Sequence, residues 1–169
     1  MPLSSEGKHV YGEYSMTEFS LRRAVESDLE AIIRLWKQNI KTVNTASDIA
    51  DLFHPFAQYY FVAVPALTAA DEPEKKLIGF VGGAVRAGHG HISGIAVDPE
   101  HRRRKVGEAL IKIVERAFRT ATFDTVTLEV RVSNRGAIRF YETQGYQPSC
   151  SIKRYYADGE DAFVYAKKI

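Results

Sequence analysis

Apolar residues fall at helical spacing in some stretches of the chain and at alternate positions in others, and this pattern predicts the elements. Phe19 to Val25 reads as a first strand. Ser27-Asp28-Leu29-Glu30 has capping-box spacing, and Leu29, Ile32, Ile33 and Trp36 place one buried face on the helix it opens. A second helix is expected from about Ala46 to Phe53, ending before Pro55. Tyr59 to Val64 is aromatic and branched, as strands are. Ala66 to Lys76 reads as an exposed loop. Leu77 to Arg86 is the next strand, and Gly82-Gly83 within it predicts a bulge or a close approach by another group. His89 to Val97 continues the sheet, and Val106, Leu110, Ile113 and Ala117 form an amphipathic stripe. Val126, Leu128, Val130 and Val132 alternate with Thr125, Thr127, Glu129 and Arg131, which is the period of a strand. Asn134 is placed to cap a last helix running to Gln144 and stopped by Gly145. Two strands, Tyr146 to Tyr155 and Ala162 to Lys168, enclose a turn at Ala157-Asp158-Gly159. The expected architecture is one α/β domain with a mixed sheet over residues 17–169, preceded by a polar, flexible leader at residues 1–16.

Composition narrows the class. The 169 residues are 45% hydrophobic and 26% charged, values of a globular protein and not of a disordered chain. The formal charge of +2 argues against general nucleic-acid binding, which draws on a larger basic excess. The single cysteine, Cys150, excludes an internal disulfide and a multi-cysteine zinc site. The leader lacks the apolar core of a signal peptide, and no apolar run has the length of a membrane span. The expectation is a cytoplasmic protein that engages neither membrane nor nucleic acid.

The segment ISGIAVDPEHRRRKVGEALIKIVERAF, Ile92 to Phe118, carries the first chemical signal. A strand ends at Val97, Asp98-Pro99 stops it, and Arg102-Arg103-Arg104-Lys105 leads into a helix with Gly107 just inside. The first turn of a helix holds N–H groups with no internal partner, and its dipole favours an anion. Alone, the cation run reads as a solvated turn. Joined to a strand end and a helix start, it reads as a phosphate site, with Gly107 letting the phosphate approach the backbone. No Gly-Lys-Ser/Thr occurs here, which sets aside the P-loop alternative.

These residues resemble the acetyl-CoA motif of the GNAT acetyltransferase superfamily: Arg or Gln, two residues, Gly, one residue, then Gly or Ala. Arg102 and Gly107 match its ends, and Lys105 replaces its first glycine. If that position needs a positive φ, lysine costs about 1 kcal/mol there. The resemblance implies acetyl-CoA as co-substrate and no metal. Arg103, Arg104, Lys105, Val106, Gly107 and Glu108 would wrap the pyrophosphate, with Arg102 as a further cofactor-binding residue, and Ile95, Ala96 and Val97 would pair by backbone with the pantetheine arm. It also implies a three-layer fold with a mixed, mostly antiparallel central sheet and about four flanking helices.

LEVRVSNRGAIRFYETQGY, Leu128 to Tyr146, and RYYADGEDA, Arg154 to Ala162, are especially similar to ribosomal-protein-alanine N-acetyltransferases and to catalytic subunits of archaeal and eukaryotic Nα-acetyltransferases. The resemblance makes Glu129 the general base, Tyr141 the general acid toward the CoA sulfur and a CoA contact, and Asn134 a further CoA contact. Read alone, Glu129 is a strand glutamate beside Arg131, Tyr141 a helix aromatic packed by Phe140, and Asn134 a plain cap. Tyr155 and Tyr156 match tyrosines that cover the first residues of a peptide; alone, they are hairpin aromatics. His91 aligns with a substrate-side catalytic position, although an exposed strand histidine reads as well. His89 and His91 share a strand face, but no third ligand accompanies them.

The function implied is transfer of an acetyl group from acetyl-CoA to a protein or peptide N-terminal α-amine, by direct attack in a ternary complex. A ribosome-associated or auxiliary subunit is the partner the resemblance allows. The alternatives are a GNAT enzyme acting on lysine side chains or a small-molecule amine, and a non-catalytic acyl-CoA-binding regulator. Trp36 to Ala46 lacks the Leu-Pro-Glu-Asn-Tyr signature of one Nα-acetyltransferase group, so the preferred first residue stays open.

Overall fold

The structure, a computed structural model, describes residues 19–66 and 76–169. The expected leader, and residues 67–75 of the expected loop, lie outside them. Strand β1 (Phe19–Arg23) is followed by helices α1 (Leu29–Asn39) and α2 (Ala46–Phe53), then strands β2 (Tyr60–Pro65), β3 (Gly79–Arg86) and β4 (His89–Val97). Helix α3 (Val106–Thr120), strand β5 (Thr125–Arg131), helix α4 (Arg135–Thr143) and strands β6 (Gln147–Ile152) and β7 (Ala162–Lys168) complete it. The strands form one sheet in the order β1-β2-β3-β4-β5-β7-β6, antiparallel throughout except for the β4–β5 pair.

The sheet is buried on both faces except at its β6 edge, which is exposed along its length. Val126, Leu128 and Val130 of β5 pack toward Leu110, Val114 and Phe118 of α3, in the cluster that also holds Tyr141 and Tyr146. Trp36, Ile32 and Phe53 of α1 and α2 pack with Tyr60 and Phe80 on the other face, where the Trp36 and Phe80 rings stack 5.5 Å apart. Period-two alternation therefore sends Thr127, Glu129 and Arg131 to the α1–α2 side.

Two expectations differ locally. Helix α1 starts at Leu29 after a 3-10 turn at Glu26–Asp28, and the carboxylate closing on the backbone there is that of Asp28. Its Oδ2 accepts from Val25 N at 2.9 Å, and Arg22 binds both oxygens at 2.6 and 2.9 Å. That pair fixes the turn, so the expected Ser27–Glu30 box does not define the helix start. The strand expected to run to Tyr155 ends at Ile152, because Arg154 adopts φ +51° and donates its N–H to Asp161, turning the chain away.

The Gly82-Gly83 expectation holds in both senses. The β3–β4 register shifts there, with Gly82 opposite Gly94 and Gly83 opposite Ile92, so Ser93 is the extra residue. A Cβ on Gly82 would come within 2.4 Å of the Tyr60 ring.

Candidate active site

The β4–β5 pair is matched at Gly90–Val126 and His91–Thr127 and no further. The bulge at Ser93 follows directly. Beyond it β4 stays paired to β3 as far as Val97, while β5 pairs with β7. The edge of β4 from Ser93 to Val97 is thus left without a β5 partner, where an extended ligand can add to the sheet.

The basic turn lies at the far end of that edge. Arg103 and Lys105 both have φ +63°, and α3 opens without a side-chain cap, leaving first-turn N–H groups for an anion. Arg102, Arg103, Arg104 and Lys105 are exposed. Arg102 also braces the turn, donating Nε to Val97 O at 3.2 Å and NH2 to Asn39 Oδ1 at 3.1 Å. The space a side chain would take at Gly107 is filled by protein: a Cβ there would sit 3.2 Å from Phe140 Cζ. Gly107 therefore lets α4 close on α3, a packing reason beside the expected one. Glu108 pairs with Lys112 along the helix.

A cleft of about 820 Å³ lies beside the splay. Its walls are the α1–α2 connection (Asn39 to Asn44), His91 to Ile95, Glu129 to Arg131, the residues Asn134, Ala137 and Tyr141 at α4, and Tyr155 to Ala157. It brings together Ile95, His91, Glu129, Asn134, Tyr141, Tyr155 and Tyr156. Ala96, Val97 and the basic turn are outside it, farther along β4.

Glu129 is 13% exposed at the side chain. Its Oε2 lies 3.0 Å from His91 Nε2, and its Oε1 accepts from Arg86 NH1 at 3.1 Å. Burial pushes this carboxyl up, but the His91 hydrogen bond, then the charges of His91 and Arg86, outweigh it and leave Glu129 below its ordinary value. His91 is 2% exposed, with Nδ1 at 3.1 Å from Thr127 Oγ1, so it is neither an exposed strand histidine nor free to roam the cleft.

Arg131 does not serve as the partner of Glu129. Its NH1 donates to Asp158 at 3.0 and 2.9 Å and to Glu160 at 3.1 Å, and its NH2 to Lys41 O at 3.4 Å. Tyr156 is partly buried beneath that guanidinium, and burial pushes its hydroxyl up to about 12. Tyr155 is exposed and meets the Tyr156 ring edge-on at 5.0 Å.

Tyr141 packs by Phe140 and Tyr146, and burial, then Tyr156, raises its hydroxyl well above the ordinary value. Asn134 caps α4, its Oδ1 accepting from Ala137 N at 3.2 Å. Arg86 and Thr127 join the site without being expected there from the sequence. Arg86 ends a strand and carries no local signal, while Thr127 was legible only as a face-mate of Glu129. Among the described residues no group of three His, Cys, Asp or Glu could hold a metal ion, and no helix is long and apolar enough to cross a membrane.

An open strand edge that leads from an anion-binding helix terminus to a cleft with an ionised carboxylate suits a long phosphorylated thioester. In class this is a CoA-dependent acyltransferase. Residues 27–146 match the acetyltransferase (GNAT) family. Over 149 residues the chain is 34% identical to the uncharacterized N-acetyltransferase MJ1530 of Methanocaldococcus jannaschii, covering 88% of this chain and 90% of that one. It is 26% identical over 165 residues to an N-alpha-acetyltransferase of Saccharolobus solfataricus, covering 90% and 94%. The crystal structure of Ard1 from Thermoplasma volcanium superposes with a TM-score of 0.80 at 26% identity, over 90% of this chain and 98% of that one. The chain belongs to the GNAT acetyltransferase family and is an acetyl-CoA-dependent N-acetyltransferase.

Proposed function

We propose that the protein acetylates the α-amine of a protein or peptide N-terminus, with Glu129 as general base and Tyr141 as general acid. The observation that carries this reading is the pairing of a largely buried, ionised Glu129 with Tyr141 in one cleft, across the splay of β4 and β5. In this reading the open edge at Ile95, Ala96 and Val97 takes the pantetheine, and Arg103 to Glu108 take the pyrophosphate. Arg102 supports that turn, and Asn134 and Tyr141 line the acyl end.

The amine nitrogen attacks the thioester carbonyl carbon, forming the C–N bond, and the C–S bond breaks with its electron pair going to sulfur. The amine proton passes through a water molecule to Glu129, which is ionised at neutral pH. Tyr141 keeps its proton across the neutral range and gives it to the departing sulfur, yielding the free thiol. Solvent then carries the proton from Glu129 back to Tyr141. His91 works from behind, holding Oε2, while Tyr155 and Tyr156 cover the first residues of the peptide.

The preference for an α-amine is supported by the loop bearing those tyrosines, which is tied to both β5 and the α1–α2 connection, and by the name N-alpha-acetyltransferase of the Saccharolobus solfataricus relative. A cleft walled on both sides suits an extended chain end. The test is competition between peptides with a free N-terminus and the same peptides N-blocked but containing lysine, read by mass spectrometry. Faster acetylation of the free N-termini is expected; faster acetylation of the blocked lysine peptides overturns the α-amine reading.

A further inference from the structure

The proposed chemistry gives no task to the guanidinium that meets Glu129 in the cleft. Arg86, at the end of β3, is about half exposed at its side chain (52%) and lines the cleft, with NH1 3.1 Å from Glu129 Oε1. The other carboxylate oxygen is held from behind by the buried ring of His91, itself in contact with Thr127. His91 Nε2 donates to Oε2 whether the ring is neutral or charged. The oxygen left for an incoming substrate is therefore the one already facing a guanidinium. An α-ammonium arriving at Glu129 meets an ion pair and not a bare carboxylate.

We propose that Arg86 is a positioning residue that keeps Glu129 from locking the incoming amine in its protonated, non-nucleophilic form. The inference rests on the reading of Glu129 as the general base. A carboxylate beside an ammonium stabilises the charged form, and an α-amine so held carries no free electron pair at neutral pH. A second cation beside it reverses that preference, as in sites where an amine nucleophile is activated by a neighbouring positive charge. Arg86 does both: it competes for Oε1, and it places positive charge where the ammonium would sit.

The other groups facing Glu129 do not perform this task. His91 comes from β4 behind the carboxylate. Arg131, on β5 itself, is engaged by Asp158 and Glu160. Tyr156 from the β6–β7 loop and Tyr141 from α4 both hold their protons in the neutral range.

The experiment is single-turnover acetyl transfer from preloaded acetyl-CoA to a peptide α-amine, followed from pH 6 to 10, for wild type, Arg86→Gln, Arg86→Lys and Glu129→Gln. Arg86→Gln is expected to move the acid limb of the saturating rate upward by about one pH unit, a tenfold slower rate at neutral pH. The half-saturating peptide concentration should fall, because the ammonium now binds the freed carboxylate. Arg86→Lys should restore the wild-type limb. Acetyl-CoA affinity, measured by calorimetry, reports that each variant is folded. The limb belongs to the amine, near pH 8, and is well separated from that of Glu129, which its partners hold below the ordinary carboxylate value. An unmoved limb, a weaker peptide affinity in Arg86→Gln, or no rescue by lysine overturns the role of Arg86 while a slow Glu129→Gln leaves the base standing. Undiminished transfer by Glu129→Gln overturns both.

Discussion

The guanidinium of Arg131 lies over the ring of Tyr156, with Cζ 3.9 Å from the ring centroid. The same group binds Asp158 and Glu160 across the β6–β7 loop and reaches Lys41 O in the α1–α2 connection, while Lys41 Nζ meets Asp158 at 2.9 Å. Glu160 in turn accepts from the backbone and hydroxyl of Ser133. One side chain, 13% exposed, thus joins the floor of the cleft to both its walls.

Removing that strut should loosen the loop that carries the tyrosines and leave the CoA side alone. Arg131→Met is expected to raise the peptide KM by about tenfold, the equivalent of roughly 1.4 kcal/mol, with acetyl-CoA affinity unchanged. Arg131→Lys should not rescue it, because a point charge cannot stack flat on the ring and fork between two carboxylates. Steady-state kinetics and calorimetry check the two halves; a normal peptide KM in Arg131→Met would refute the strut. The pairing should also tolerate mild acid. Lys41, a backbone N–H and Arg131 hold the Asp158 carboxyl well below the usual carboxylate range. A carboxyl lowered in this way contributes fully above its ordinary value and loses that contribution only as pH falls through the lower one.

Acetyl-CoA binding should depend on the turn between β4 and α3. Arg103→Glu is expected to raise the acetyl-CoA Kd at least tenfold, about 1.4 kcal/mol. The side chain is exposed, so the fold should survive the change. Arg102 is different, since its contacts to Val97 O and Asn39 tie the turn to α1. Arg102→Ala should lower thermal stability as well as affinity. Calorimetry with parallel thermal melts separates the two, and wild-type affinity in Arg103→Glu would contradict the phosphate assignment.

Lys105 sits where the acetyl-CoA motif has a glycine, and its φ of +63° explains the motif's preference. An L-residue there carries roughly 1 kcal/mol of strain, which glycine avoids. Lys105→Gly should therefore stabilise the protein by up to about 1 kcal/mol, discounted by the extra freedom of glycine in the unfolded chain. Urea melts read that gain directly. A destabilised Lys105→Gly would mean that the lysine chain contributes more than its backbone costs.

Much of this was legible in the chain. The stripe of α3, the alternation of β5 and the Asn134 cap are local patterns, and local patterns survive into the fold because tertiary packing reinforces them. The bulge was legible as Gly82-Gly83, although the extra residue is Ser93 on the opposite strand. What escaped were pairings set by topology. Glu129 and Arg131 are neighbours on one face, yet each turns to a group distant in the chain: Arg86 is 43 residues from the first, and Asp158 is 27 from the second. No spacing rule reaches across a sheet. Gly107 illustrates a subtler gap: the helix that carries its neighbour Phe140 is legible from its cap and its stop, but its packing against α3 is not.

Glu129 has one oxygen on a buried histidine and one on a cleft arginine, and both contacts favour the ionised form over the protonated one. Such a carboxylate is ready to receive a proton at neutral pH, though its lowered affinity for that proton limits the driving force. Replacing it with glutamine removes the charge but keeps the shape, and the amide can still face His91. Glu129→Gln should therefore lower kcat by about a hundredfold, the lower range for a principal proton-transfer group, with acetyl-CoA affinity nearly unchanged. Tyr141 presents the opposite case: burial keeps its hydroxyl protonated, so it acts as a donor and not as an anion. Tyr141→Phe deletes one oxygen and leaves the ring against Phe140 and Tyr146, so the packing should hold. Its kcat should fall by a similar factor, about a hundredfold. An acetyl donor with a more acidic leaving thiol should recover most of that loss, because a better leaving group needs no proton. The same donor should not rescue Glu129→Gln, whose missing step lies at the amine. Equal rescue of both variants would show that the two residues do not divide the proton transfers in this way.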